Sequence, residues 1–212
     1  MDSSIDLEAY LEKFSTPEDP ILKQIYRETN LRHLNPRMIT GHIQGQLLTL
    51  LSGMIKPEYI LEIGTFTGYS AICLAKGLNK NGKLHTIEVN DEIADIARGY
   101  FQLAGLDNKI IIHTGNALSI VPSLNMQFDL IYIDGEKREY PDYFKLCITY
   151  LKAGGFIIAD NVLWNGKVLE PLSIHDPATK AVNEFNKLVG ENQQLEKIFL
   201  PLRDGLLIAR LK

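Results

Sequence analysis

Three oxygen-bearing side chains stand where apolar runs end: Asp134 closes Phe128–Asp134, and Asp160 with Asn161 follows Phe156–Ala159. If the two runs are neighbouring parallel strands, they lie ~4.8 Å apart with their ends on one edge of a sheet, so two carboxylates and an amide oxygen converge there. Hard oxygen donors in that number suit Mg²⁺, Mn²⁺ or Ca²⁺ and leave coordination positions for water or other oxygens. Strand-ending Asp and Asn also cap turns and helices, and spacing alone does not choose between these readings. A second constellation lies upstream. The run Tyr59–Ile63 enters Glu62-Ile63-Gly64-Thr65-Phe66-Thr67-Gly68-Tyr69-Ser70, where glycines let the backbone turn sharply and approach a ligand closely. The spacing is G-x-x-x-G with an acid two residues ahead of it, not the dinucleotide pattern GxGxxG. The next strand ends in Glu88, whose carboxylate can accept hydrogen bonds from both hydroxyls of a ribose. A bare turn and a solvated strand-end charge are the plain alternatives, but loop and acid together favour a bound nucleoside.

The elements that must position these residues are legible as a rhythm. Residues 6–33 read as two short amphipathic helices divided by Thr16-Pro17-Glu18-Asp19-Pro20, a helix-start signal, and a third helix runs from about Gly41 to Ile55. Strands are then expected at Tyr59–Ile63, Leu84–Val89, Ile110–Ile112, Phe128–Asp134 and Phe156–Ala159, the last entered through a turn at Gly154-Gly155. Helices Tyr69–Leu78, Glu92–Ala104, 117–124 and Tyr140–Leu151 separate them. Such alternation means a parallel, doubly wound α/β sheet. After a helix over 177–190 the rhythm breaks, because Leu195–Pro201 and Gly205–Arg210 are joined by a turn too short for a crossover. The expected fold is therefore a Rossmann-like, seven-stranded, mostly parallel sheet with an antiparallel terminal strand, preceded by N-terminal helices.

Size and composition fit one domain of 212 residues, with 1–40 as a helical extension and 41–212 as the core. A formal charge of −4 gives no global basic field for nucleic acid. The polar, acidic start MDSSIDLEAYLEKF is not a signal peptide, and no apolar run approaches the ~18 residues of a membrane span. Cys73 and Cys147 lie far apart without metal-type spacing and read as buried thiols of a cytoplasmic protein.

The segment LEIGTFTGYSA (61–71) resembles the S-adenosylmethionine-binding loop of the metal-dependent catechol and caffeoyl-CoA O-methyltransferases, which have the class I methyltransferase fold. The stretches DGEKREY (134–140) and ADNVLWNGKV (159–168) are similar to that family's two metal motifs, and the resemblance runs from about Leu34 to the C-terminus. It implies that Asp134, Asp160 and Asn161 hold the metal, that Gly64 lies under the cofactor, that Ser70 binds its methionine carboxylate and that Glu88 binds its ribose. Met38 matches the family methionine near the cofactor's sulfur, and Asn116-Ala117 matches the segment packed on adenine, where the family usually has an aspartate or small residue. Thr40, Glu62, Thr65, Phe66, Gly68, Val89, Asp134 and Tyr143 complete the expected cofactor contacts. The resemblance further makes Lys137, with Asp134, the catalytic pair: beside a metal and a sulfonium the lysine's pKa should fall, giving a neutral amine that takes the hydroxyl proton. The family commonly has Ala or His where this chain has Gly135, so a contact from that position is lost. Trp164 and Arg203 are expected at the substrate, the tryptophan as an apolar wall.

Two other classes are less well served by the sequence. A nicotinamide-dependent oxidoreductase wants GxGxxG and a catalytic Tyr-x-x-x-Lys, neither of which is present, and Tyr140 and Tyr143 read more simply as helix packing. A non-catalytic S-adenosylmethionine-binding module has no use for Asp134, Lys137, Asp160 and Asn161. The resemblance implies as acceptor a hydroxylated aromatic small molecule or CoA ester, with a 5-hydroxyuridine in tRNA as the alternative. Arg32, Arg37, Lys137, Arg138, Lys167 and Arg203 could form a phosphate-binding patch, or with Glu136, Glu139, Glu170 and Asp204 an ordinary mixed surface. Relatives imply a homodimer and no membrane partner.

Overall fold

Where β-branched and aliphatic residues run together between glycines and caps, the chain forms strands buried on both faces. The computed structural model describes residues 3–171, 173 and 175–212. Positions 1 and 2 of the polar start, and positions 172 and 174, lie outside the described residues. Strands β1 (Tyr59–Ile63), β2 (Lys83–Glu88), β3 (Ile110–Thr114), β4 (Phe128–Ile133), β5 (Leu151–Ala159), β6 (Leu195–Leu200) and β7 (Leu206–Leu211) make one seven-stranded sheet in the order β3-β2-β1-β4-β5-β7-β6. The first five pair in parallel, and β7 inserts antiparallel between β5 and β6. The expected doubly wound sheet with its antiparallel terminal strand is thus the one observed. The strand order reverses between β1 and β4, and in open α/β sheets the crevice beyond that switch point is where ligands bind.

Alternation along each strand divides the core. Leu61, Ile63, Ile131, Ile133 and Ile157 face a cluster with Val121 of α6 (Ala117–Leu124), Phe144 of α7 (Tyr140–Tyr150) and Phe185 of α8 (Pro177–Glu191). Ile60, Leu130 and Ile158 face the other cluster, with Leu48 of α3 (His42–Ile55), Ile72 of α4 (Tyr69–Ala75) and Phe101 of α5 (Asp91–Leu103). Ahead of these, α1 (Ser3–Phe14) and α2 (Pro20–Arg32) follow one another, and α2 sends Leu22 and Ile25 into the second cluster.

Most boundaries fall within two residues of expectation; two differ for physical reasons. Helix α4 stops at Ala75 rather than Leu78 because Gly77 presses on the Ser52 backbone, where a Cβ would lie 2.2 Å from the carbonyl carbon. Strand β5 begins at Leu151, not Phe156, because Gly154-Gly155 sits inside the strand as a register irregularity opposite Phe128–Leu130.

Candidate active site

At the switch point the chain leaves β1 through a turn that only glycine permits. Gly64 has φ of 100°, and a Cβ there would lie 2.2 Å from the Asp134 carbonyl oxygen, so the ends of β1 and β4 touch backbone to backbone. Asp134 N donates to Ile63 O at 2.8 Å, while Gly64 N and Thr65 N both donate to Ile87 O of β2. Glu88, nearly buried at the end of β2, accepts from Phe66 N at 2.8 Å through one oxygen and from Asn90 N at 3.1 Å through the other. Each oxygen keeps a lone pair for a ligand, and the carboxylate also shapes the loop. Glu62 lies beneath, fully buried: its Oε2 accepts from Thr86 Oγ1 at 2.6 Å and its Oε1 has no partner among the described residues. Burial, only partly offset by the Ser70 and Thr86 hydroxyls, pushes its carboxyl up to about 8.

Beside this loop the ends of β4 and β5 form a polar chain. Lys137 Nζ donates to Asp134 Oδ1 at 2.8 Å and to the Tyr140 hydroxyl at 2.7 Å, and that hydroxyl reaches the Asp160 carbonyl oxygen at 3.0 Å. Gln44 Nε2 of α3 donates to Asp160 Oδ2 at 2.7 Å, and Asn161 N donates to Asp160 Oδ1 at 2.7 Å. Burial lifts the Asp134 carboxyl to about 6, with the nearby Asp160 adding and Lys137 opposing. For Lys137 burial works against the charge, but Asp134 and Tyr140 outweigh it and raise the ammonium above the ordinary lysine value. The ion pair with Asp134 thus favours the ammonium, whereas the expected depression of Lys137 rests on a metal and a sulfonium beside it.

The donor set fits a hard divalent cation. Asp134, raised mainly by burial and further by the Asp160 carboxylate, offers with Asp160 and an amide oxygens whose charge a cation would stabilise. Among the described residues no cluster of three His, Cys, Asp or Glu side chains is placed to hold a metal, so two carboxylates and an amide are the set the strand ends supply.

The remaining expected residues are placed unevenly. Thr40, Thr65, Ser70 and Ala117 are buried around the switch point or the neighbouring strand ends, and Gly68 caps α4. Asn116 caps α6, its oxygen accepting from Leu118 N at 2.8 Å, which leaves its amide nitrogen and a second oxygen lone pair to meet a base. Met38 is 58% exposed on a 3-10 turn over Pro36–Met38, and Val89 is 72% exposed. Tyr143 fills the space that a side chain at Gly135 would take, at 3.0 Å from a Cβ built there, so the position lost to Gly135 is occupied by a neighbour. Trp164 is half-buried against the first core cluster with its Nε1 unpartnered, closer to packing than a free wall. Arg203 NH1 is spent on Ile39 O at 3.0 Å. The patch of bases is largely neutralised: Arg138 pairs with Glu136, Lys167 with Asp176 and Arg32 with Glu28.

Gln44, Tyr140 and Asp204 escaped the sequence reading. Tyr140, read there as packing, is buried and bonded to Lys137. Gln44 bonds Asp160 from a sequence distance of 116 residues, which no local motif reveals.

The profile of a family described as O-methyltransferase matches residues 12–212. A catechol O-methyltransferase of Niastella koreensis is 36% identical over 84% of each chain. A caffeoyl-CoA O-methyltransferase of Eucalyptus globulus is 34% identical over 94% of this chain and 85% of its own. Among solved structures, the O-methyltransferase from Bacillus cereus in complex with SAH superposes with a TM-score of 0.91 at 30% identity, covering 98% of this chain and 97% of its own. An O-methyltransferase of Streptomyces achromogenes involved in tomaymycin synthesis, in complex with SAM, also gives 0.91 at 29% identity, covering 100% and 99%.

Proposed function

Because this chain belongs to the O-methyltransferase family and is an S-adenosylmethionine-dependent enzyme of the catechol and caffeoyl-CoA type, we propose that it methylates a hydroxyl held at a divalent-metal site on a catechol-like or phenolic small molecule or CoA ester. One observation carries this reading: Asp134, Asp160 and Asn161 end adjoining strands beside the loop that Gly64 and Glu88 shape. In this reading Asp134, Asp160 and Asn161 hold Mg²⁺, with Mn²⁺ or Ca²⁺ as substitutes. When bound there, a divalent ion would supply charge that lowers the pKa of the acceptor hydroxyl, and Asp134, once shared with it, would hold the Lys137 proton less tightly. S-adenosylmethionine supplies the electrophilic methyl. Gly64 gives the cofactor room to approach the backbone, the free lone pairs of Glu88 take its ribose, and Ser70 takes its carboxylate. Lys137 Nζ, after releasing its own proton to solvent, would take the hydroxyl proton, and Tyr140 keeps it aimed. The protein's main contribution is alignment of the oxygen with the methyl.

Of the cations a tRNA acceptor would use, Arg32, Arg138 and Lys167 are paired with this chain's own acids, and the relatives are named for catechol and caffeoyl-CoA, so the small-molecule reading is the one supported. We read the chain as one domain acting as a cytoplasmic homodimer. Its two buried free thiols agree with a reducing compartment, and among the described residues no helix is long and apolar enough to cross a membrane. The test is chelation. Excess EDTA should abolish methyl transfer to a catechol or to caffeoyl-CoA while calorimetry shows adenosylhomocysteine affinity unchanged within twofold. Full turnover without metal ends the metal-dependent reading.

A further inference from the structure

Asn161 sits in the left-handed region at φ of 56°, and Trp164 and Asn165 follow at 47° and 54°. Three non-glycine residues in such a conformation within one short loop store strain that the surroundings must hold. The hold comes from the turn between β6 and β7. Asp204 Oδ2 accepts from Asn161 Nδ2 at 3.1 Å, Asp204 Oδ1 accepts from the Asn165 backbone N–H, and Asp204 O accepts from Leu163 N at 2.9 Å. Gly205 lets the two segments close up, since a Cβ there would lie 2.4 Å from Leu163 Cγ.

Chemistry fixes the consequence. An aspartate carboxylate only accepts, so Asn161 must turn its NH₂ toward Asp204 and its carbonyl oxygen the opposite way. From this geometry, and resting on the metal reading above, we propose that Asp204 is a positioning residue: it sets the Asn161 amide so that the oxygen, and not the nitrogen, is offered to the divalent cation. No motif around Asp134 or Asp160 contains it, and it reaches Asn161 across 43 residues of sequence. A ligand's own hydrogen-bond partner of this kind typically changes metal affinity ten- to a hundredfold, roughly, when removed.

The experiment follows from which group can turn. In Asp204→Asn the Asn165 N–H cannot reverse, so the new amide oxygen goes to it and the new NH₂ faces Asn161. Asn161 then flips and presents nitrogen to the cation. Calorimetric titration with Mn²⁺ should show a loss of about tenfold or more, with adenosylhomocysteine affinity unchanged within twofold. The charge-swapped pair Asn161→Asp with Asp204→Asn restores a donor facing an acceptor and again leaves an oxygen for the metal, so most of the Mn²⁺ affinity should return. Mn²⁺ affinity within twofold of wild type in Asp204→Asn overturns the proposal. So does an equal loss of adenosylhomocysteine affinity, which marks a general structural role, or a swapped pair no better than the single variant. Wild-type protein that takes up no Mn²⁺ removes the metal reading itself, and this inference with it.

Discussion

Glu88 and Glu62 are acids near the ends of the neighbouring strands β2 and β1, with opposite burdens. Glu88 accepts two backbone N–H groups as well as facing the ligand crevice, so its removal acts twice. Glu88→Ala should weaken adenosylhomocysteine binding at least tenfold, since charge-assisted hydrogen bonds are worth about 1.5–3 kcal/mol. It should also lower the melting temperature, because Phe66 N and Asn90 N lose their acceptor; calorimetry and thermal unfolding read the two effects separately. Glu62 is a linkage test. Its carboxyl ordinarily titrates at 4.5 and in the fold at about 8, so between those values the folded chain binds more protons than the unfolded one. Its contribution to stability is full below 4.5 and is lost as pH rises through about 8, with a slope of up to ~1.36 kcal/mol per pH unit. Glu62→Gln should flatten that decline in urea titrations at pH 5.5, 7 and 8.5, and an unchanged profile would show that the charge is stabilised in the fold. The positions legible in the sequence were those at strand ends, Asp134, Asp160, Asn161 and Glu88, which the structure puts at the ends of β4, β5 and β2 as read, their proposed roles coming from the resemblance. Those that were not, Gln44, Tyr140 and Asp204, act by reaching a partner across the fold, where local pattern is silent. Lys137 was singled out by the resemblance, and its contacts with Asp134 and Tyr140, which raise the ammonium, are what the fold adds.

Among elements, the strands were legible because β1, β4 and β5 are apolar on both faces and the helices carry caps such as Asp19, Asn90 and Asp176. The start of β5 was not, since a glycine pair reads as a turn whether it leaves the sheet or bends within it. The contact of β1 with β4 through Gly64 yields the prediction at this scale. Gly64→Ala adds a methyl against the Asp134 carbonyl at a φ of 100°, and carbonyl and strand end cannot both yield without moving Asp134. The cost should exceed the ~1–2 kcal/mol of the backbone conformation alone, seen as a lower urea midpoint. Adenosylhomocysteine binding should fall with it, because the loop and the Asp134 end are displaced together. A variant as stable as wild type would mean that the strand ends separate freely, contrary to the packing described.

For the whole molecule, several large apolar side chains stay exposed on α1 and α3. On α1, Leu7, Tyr10 and Phe14 are 59%, 61% and 69% exposed, and on α3 Leu50 and Met54 are 56% and 79% exposed. Single exposed apolar residues are ordinary, but neighbouring helices carrying several together mark an association surface. The two helices are tied where α1 ends, since the His42 ring lies 2.8 Å from Thr16 O and 3.8 Å from Glu12. The patch is thus presented by a fixed pair of helices. A stable symmetric dimer needs about 800 Å² from each partner, an area that two helix faces can supply. Light scattering should give twice the chain mass at micromolar concentration, and the melting temperature should rise with protein concentration, as mass action requires. Replacing Leu7, Tyr10 and Phe14 together by glutamate puts three like charges against their symmetry mates. The variant should run as a monomer, with a melting temperature independent of concentration. The switch-point crevice is built from β1, β2, β4 and β5, remote in sequence from α1, so adenosylhomocysteine affinity should be retained. A wild-type monomer at all concentrations, or a variant that stays dimeric, would place the interface elsewhere or nowhere on this face.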